Sequence, residues 1–484
     1  MSNILERGKN ISFAYAAFVV ITVFAFVIYG AVATDSSSTM AVMFTLAWLF
    51  TVPLVMKLGY TYKQTQAFGW KVVMDSMEAN FIILIVGTMV AALIASGTVP
   101  LIIVAGLKVI SPKAFLLTTL LVASFTSLAT GTSWGTIGTA GIAMIGIGEA
   151  LGVPAGMTAG AVISGAAFGD KMSPVSDTTN LAAAITGTPL MTHIKHMTLT
   201  TLPAYALTAI IFTVLGFRFD ASGYNPEAVN ATIDILNSMF NLSIIELLPI
   251  VLVIVLLIKK APPVMALLSG TFSGIFLAII RQGESIVSLI NYVKNGFVLN
   301  ADLLANVPPE SAEYITKLLN RGGMFSMVGT FLIVFTAAAI TGMLSESGIL
   351  GALVRPLTND CEGSNFKTVL YTLIIGYVTN MVGSSMLLAE IVPGTIMKPI
   401  FKKNKLAPQN LSRLLEDSGT LGAWIIPWNS NAIFGATMLG TSVLSFMPFV
   451  FLAWLSPLMS LIYAATGITM VPLDESEESE TAAS

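Results

Sequence analysis

Apolar runs, most of them long enough to cross a bilayer, alternate along this chain with short polar links. The first covers residues 11–33 and the second about 40–56; the link at 57–75 carries Lys57, Lys63 and Lys71. A third run, 78–97, ends at Ser96-Gly97, and a shorter piece, 99–110, follows. The run 114–129 stops at TGTSWGTIGTAG (130–141), where glycines and hydroxyls replace bulky apolar residues. Short apolar pieces at 142–151 and 155–168 then lead into GDKMSPVSDTTN (169–180), a polar motif between small apolar flanks. Residues 181–187 continue it, and 197–217 spans again. Runs of ~20 apolar residues predict transmembrane helices across a core of about 30 Å, and the short interrupted pieces predict broken or re-entrant ones.

Residues 218–242 are polar and acidic (Asp220, Glu227, Asp234), which places them outside. The spans 243–258 and 262–280 meet at Lys259-Lys260, which the excess of lysine places inside. Residues 281–322 form a long polar link with room for an amphipathic helix. Spans resume at 324–345 and 366–384, and the segments 386–400 and 408–426 flank Lys398, Lys402, Lys403 and Lys405. WNSNAIFGATMLG (428–440) and a last span, about 445–466, close the apolar part. The tail DESEESETAAS (474–484) is acidic and predicts disorder.

Composition agrees with this reading. Of 484 residues, 55% are hydrophobic and 10% charged, where a soluble domain carries about 25% charged. A net charge of −3 gives no basic footprint for nucleic acid. One cysteine, Cys361, excludes an internal disulfide, and two histidines leave little scope for histidine-based metal catalysis. Arg7 and Lys9 precede the first run as in a signal peptide, but 11–33 is too long for a signal core and predicts a retained helix. There is no Walker A sequence and no G-x-S-x-G elbow. The chain reads as a transporter, not an enzyme, and it calls for no cofactor.

The two halves resemble each other. PVSDTTNLAAAITG begins at Pro174 and PWNSNAIFGATMLG at Pro427, an offset of 253 (427 − 174). The same offset sets Ser127 on Asn380, and LIASG (93–97) matches LSESG (344–348) at 251. Link 57–75 reads as inside and its counterpart 281–322 as outside, so the repeats are expected to be inverted. The expected organisation is a first repeat at 1–217, an external link at 218–242, a second repeat at 243–467 and a cytoplasmic acidic tail at 468–484. The fold class is therefore an all-α polytopic membrane protein of two inverted-topology repeats with broken helices and re-entrant hairpins.

The candidate chemistry lies at the breaks. Charge at membrane depth costs at least ~2.5–3.5 kcal/mol per residue on insertion scales, which marks Asp170 and Asp177 as functional candidates. A carboxylate in a partly apolar cavity can hold either a proton or a cation, and Ser173, Ser176, Thr178 and Asn180 add neutral oxygens suited to a hard cation such as Na⁺. The bland alternative is that Asp177, followed by Thr178 and Thr179, is an N-cap for the helix after Pro174. Lys171 is either a counter-charge for Asp170 or a side chain that reaches an interface. Thr132 and Ser133, with Thr130 and Thr136, line an unwound stretch, or else the glycines there serve close helix packing. In the second half Asn429, Ser430 and Asn431 match the central motif in position without its charge. Glu390, Glu416 and Asp417 are the acids nearby, and Arg413 offers the last two a local ion pair. His193 and His196 lack a third metal ligand and are expected at a cytoplasmic interface, with a pH-sensing role open to them.

SLATGTSWGTIGTAG (127–141), AGAVISGAAFGDKMSPVSDTT (159–179) and LEDSGTLGAWIIPWN (415–429) resemble the NhaC family of Na⁺/H⁺ antiporters. That family includes MleN-type proteins that exchange malate and protons for Na⁺ and lactate. The resemblance implies a multi-pass secondary transporter of the bacterial inner membrane, with inverted repeats and hairpins and site positions at Asp170, Asp177, Glu416, Asp417 and Asn429; both termini are expected to be cytoplasmic. Its expected partners are the lipid bilayer, Na⁺ and H⁺; a homodimer is allowed but not specified. Exchange of Na⁺ for H⁺ by alternating access is the expected activity, with Na⁺-coupled organic-anion exchange the alternative. A channel or membrane scaffold is the reading from another class, and the paired breaks argue against it.

Overall fold

The computed structural model of the chain describes residues 10–33, 37–218, 226–299, 304, 307–361 and 363–473; the acidic tail from 474 lies outside them. No strand occurs among the described residues, only an isolated bridge between Leu406 and Pro472. Six helices there are apolar and long enough to cross a bilayer, or nine if each of three sharply bent pairs is one span.

The first half runs α1 Phe13–Ala33, α2 Ser37–Met56, α3 Tyr62–Asp75, α4 Met77–Ala95 and α5 Thr98–Val109. A hairpin follows. Its descending arm is α6, Phe115–Thr130; its returning arm, α7, passes from Ser133–Thr136 through a π-helical turn, Ile137–Gly141, into Ile142–Ala150. Next comes a broken helix, α8 Ala155–Met172 and α9 Asp177–Thr186, and then α10, Leu190–Arg218. A connecting helix, α11 Pro226–Met239, precedes the second half: α12 Leu248–Ile258, α13 Pro263–Gln282, α14 Ile286–Asn295, α15 Pro309–Leu319, α16 Val328–Glu346 and α17 Ile349–Asn359. The second hairpin pairs α18 Asn365–Gly383 with α19 Met386–Lys403. The second broken helix starts as α20, Pro408–Leu415, continues through a π-helical turn, Glu416–Thr420, and a 3₁₀ turn, Gly422–Trp424, and resumes as α21, Ser430–Leu439. The last helix is α22, Phe451–Thr466.

The repeat offset of 253 recurs in the backbone. Gly131 (φ +70°) and Ser384 (φ +47°) both end a hairpin's first arm in the left-handed region. Thr132 and Ser385 then cap the second arms, accepting the amides of Gly135 and Leu388 at 3.3 and 3.5 Å. Gly187 (φ +80°) and Gly440 (φ +66°) both terminate the half-helix after a break. At the tips, Ser127 Oγ donates to Ala166 O at 2.6 Å, and Asn380 Nδ2 donates to Gly419 O at 2.8 Å. Each hairpin therefore grips its own broken helix at the same point.

The hairpins enter from opposite faces. Helix α10, with 29 residues and thus ~44 Å long, connects the two. Its far end packs by Gly216 on Lys113, at the base of the first hairpin. Gly187, just before its start, faces Lys398 near the base of the second. The tips consequently meet in the middle of the protein. The outer helices exchange partners: α2 and α3 pack on α16, while α13 and α14 pack on α4.

Two polar stretches that read as links are packed structure. Helix α11 buries Val229, Ile233 and Leu236. Residues 286–323 bury Leu289, Phe297, Ile315, Leu318 and Leu319, and Gly323 N donates to Gly87 O at 2.7 Å. The amphipathic helix for which 281–322 has room is present there as α14 and α15, and 218–242, read as a plain link, holds α11.

Candidate functional site

The break between α8 and α9 arises where Pro174 cannot continue the helix. Around it lies a cavity of ≈520 Å³ lined by Thr132, Ser133, Asp170, Ser176, Asp177, Thr178, Asn180, Lys260, Met386 and Leu387, among others. Asn180 and Lys260 are exposed at its mouth, whereas Asp170 is 4% exposed at its floor. Ser133 Oγ donates to Asp170 Oδ2 and Ser176 Oγ to Asp170 Oδ1, each at 2.6 Å. Ser176 also shares a hydrogen bond of 3.0 Å with Thr178. Both side-chain donors to Asp170 are neutral, and none of the ion pairs among the described residues involves it. Asp177 is the first residue of α9, with Ser176 in the N-cap position, and it is exposed to the cavity.

The remaining first-half candidates support the break. Ser173 Oγ donates to Leu128 O at 2.9 Å, which fixes the hairpin arm to the end of α8. Asn180 Nδ2 donates to Pro174 O at 3.0 Å and Ser176 O at 2.7 Å, so it braces carbonyls that the break frees. Thr132 caps α7. Trp134, absent from the sequence-derived set, connects the two halves: its Nε1 donates to Asn431 Oδ1 at 2.6 Å while its ring stacks on Phe434 at 4.3 Å.

A chain of amides continues from there. Asn431 Nδ2 donates to Asn429 Oδ1 at 3.1 Å, Asn429 Nδ2 to Asn380 Oδ1 at 3.0 Å, and Asn380 Nδ2 to Ser418 O at 2.7 Å. Ser430 Oγ donates to Ser384 O at 2.6 Å. The three second-half candidates thus form the joint between the second hairpin tip and the second break.

The acids divide into two groups. Lys171 pairs with Asp417, both side chains fully buried, so it neither compensates Asp170 directly nor reaches an interface. Ser456 and Ser460 of α22 each donate to Asp417 at 2.6 Å. An ion pair in a dry interior is tolerated when such donors satisfy its remaining lone pairs. The local pair with Arg413 does not form among the described residues; Arg413 Nη1 donates instead to Thr469 Oγ1 at 2.9 Å. Glu416 is fully buried with neither oxygen bonded. Glu390 is fully buried and accepts from Thr420 at 2.7 Å. Its signal in the sequence was a single acid within an apolar helix. His193 and His196 are buried rather than interfacial, and His193 Nδ1 bonds Ser412 Oγ at 2.8 Å.

The model of the Na⁺/H⁺ antiporter family matches residues 4–179 and 165–468. The malate-2H⁺/Na⁺-lactate antiporter of Bacillus subtilis (strain 168) is 37% identical over 422 residues, 87% of this chain and 88% of that protein. An uncharacterized Na⁺/H⁺ antiporter of Haemophilus influenzae is 36% identical over 429 residues, covering 88% and 91% of the two chains. The Na⁺/H⁺ antiporter NhaC of Alkalihalophilus pseudofirmus is 37% identical over 389 residues, covering 80% and 82%. Matched over both hairpins and both breaks, this chain is a member of the Na⁺/H⁺ antiporter family.

Proposed function

We propose that this protein exchanges Na⁺ for H⁺ by alternating access, with the ion held at the first break. The observation that carries this reading is Asp170: a buried carboxylate at the floor of an open cavity, with neutral donors and no cationic partner among the described residues. Ser133, Ser176 and Thr178 supply hydroxyl oxygens around it, and Asp177 attracts the cation at the entrance. Ser173, Asn180 and Thr132 hold the broken backbone, and Asn429, Ser430 and Asn431 hold the second hairpin tip to the second break, tied to the first hairpin through Trp134. A cation and a proton then compete for one carboxylate, which is the minimum that exchange requires.

Lysines 57, 63, 259, 260, 398, 402, 403 and 405 make one face the cytoplasmic one by the positive-inside rule, in a bacterial inner membrane. On this assignment the cavity is open inward, residues 1–217 and 243–467 are the repeats, and the linking helix α11 lies outside. The movement would be of one hairpin and broken-helix bundle against the outer helices.

Na⁺-coupled organic-anion exchange is the second reading. Lys260 at the cavity mouth favours it, since a carboxylate substrate wants a cation there. Lys171 does not, being committed to Asp417. The test is a liposome assay with an internal pH dye, in which Na⁺ is added with and without malate or lactate. Proton movement with Na⁺ alone supports the first reading, and a requirement for the organic acid supports the second.

A further inference from the structure

The two breaks hold equivalent places in the two repeats, yet one is open and the other shut. At the offset of 253, Asp177 corresponds to Ser430 and Asn180 to Ile433. Asp177 and Asn180 are exposed at the cavity, whereas Ser430 and Ile433 are each 5% exposed. The outer helices account for the difference. At the first break, Ile82 of α4, Leu257 of α12 and Leu267 of α13 stand back and form the far wall of the cavity. At the second, Val19 and Val23 of α1, Phe44 of α2 and Ile333 of α16 gather into one apolar cluster with Ile433. Phe24 of α1 lies against Trp428, ring centroids 5.8 Å apart, and Thr330 of α16 shares a hydrogen bond of 3.1 Å with Thr437 of α21. Apolar packing, an aromatic contact and a neutral hydrogen bond can part and re-form without stranding a buried charge. This closed side also leads to the ion site: Trp134 Nε1 donates to Asn431 at the second break, and Ser133 beside it donates to Asp170.

We propose that the packing of α1, α2 and α16 on the second break is a gate, whose parting opens Asp170 to the face opposite the present cavity. The inference rests on the exchange reading above and adds the ion's second route to it. Phe24 leaves Trp428, Ser430 and Ile433 become exposed as Asp177 and Asn180 now are, and the first break closes on α12 and α13. The two mouths differ in charge: the cytoplasmic one presents Asp177, and the external one presents the neutral hydroxyl of Ser430 in the matching place.

The test uses the full-length protein in sealed right-side-out and inside-out membrane vesicles, with a bulky, membrane-impermeant maleimide. The buried Cys361 is replaced by serine. Asn180→Cys then reports on the first break and Ile433→Cys on the second. Asn180→Cys should react from the cytoplasmic face and Ile433→Cys from the external face. Phe24→Ala, which removes the aromatic contact, should speed external labelling of Ile433→Cys roughly threefold or more. In a chain with both cysteines the external adduct wedges the gate open, so Asn180→Cys of the same molecule should lose its cytoplasmic reactivity. No external labelling of Ile433→Cys, with or without Phe24→Ala, overturns the proposal. Undiminished labelling of Asn180→Cys in chains that carry the adduct overturns it too, because the second break would then loosen without closing the first. Should Ile433→Cys fold poorly, Ser430→Cys, close in size to the serine it replaces, is the reporter under the same criteria. Labelling needs no transported ion, so a failed Na⁺ pulse refutes the exchange reading while these reactivities still judge the gate.

Discussion

Lys171 in the first broken helix donates to Asp417 in the second, so the two inverted halves are joined by an ion pair from which water is excluded. The residues lie 246 positions apart in sequence, and each neighbours a further acid: Asp170 at the cavity floor and Glu416, fully buried with neither oxygen bonded.

Breaking that pair from one side should be costly. Lys171→Met or Asp417→Asn leaves a buried charge uncompensated, which costs about 3–5 kcal/mol. Combining Lys171→Met with Asp417→Leu removes both charges and should recover most of the loss. Thermal unfolding of the detergent-solubilised variants checks this; a double variant no more stable than either single one would show that the pair does not act as a unit.

The first hairpin tip depends on glycine. Gly131 has φ +70°, and a Cβ there would meet Val175 Cγ2 at 2.6 Å. Gly131→Ala should cost about 1–2 kcal/mol for the left-handed backbone alone, with the contact added to it. Lower thermal stability together with slower exchange is the expected outcome. Ser384, its counterpart, keeps a side chain because Ser384 Oγ donates to Trp428 O at 2.8 Å and accepts from Ser430 N at 2.9 Å.

Trp134 fastens the first hairpin to the second broken helix. Trp134→Phe keeps the stacking on Phe434 but leaves Asn431 Oδ1 without its donor, a loss of about 1–3 kcal/mol. Because Trp134 does not bond Asp170, exchange at saturating Na⁺ should slow while the apparent Na⁺ affinity changes little. A large change in affinity at unchanged maximal rate would place Trp134 among the ion ligands instead.

Much of the fold was legible in the chain. Hydrophobic run lengths gave the spans, and Pro174 and Pro427, with glycines thirteen residues later, gave two breaks in register. The reason is physical: membrane length and backbone satisfaction act on local sequence. Helix α11 was not legible, and α14 and α15 only as room for an amphipathic helix in 281–322, because apolar stripes among polar residues show their purpose once packed. At the site, Asp170, Ser176 and Thr178 stood in one short motif and Ser133 in the glycine-rich one before it, whereas Lys171 could not be paired from sequence. Arg413 is four residues from Asp417 and Lys171 is in the other half, so local spacing favoured the wrong cation. Glu390 was visible as an isolated acid, but only the fold places it against the second break, where it accepts from Thr420.

The most direct test is a Na⁺ pulse applied to liposomes containing either wild-type protein or Asp170→Asn, with an internal pH dye, clamped membrane potential and no organic acid. Prompt, saturable proton movement in the wild type and none in the correctly folded variant is the predicted result. Equal proton movement in both would contradict the assignment of Asp170, and silence of the wild type until malate or lactate is supplied would contradict simple Na⁺/H⁺ exchange.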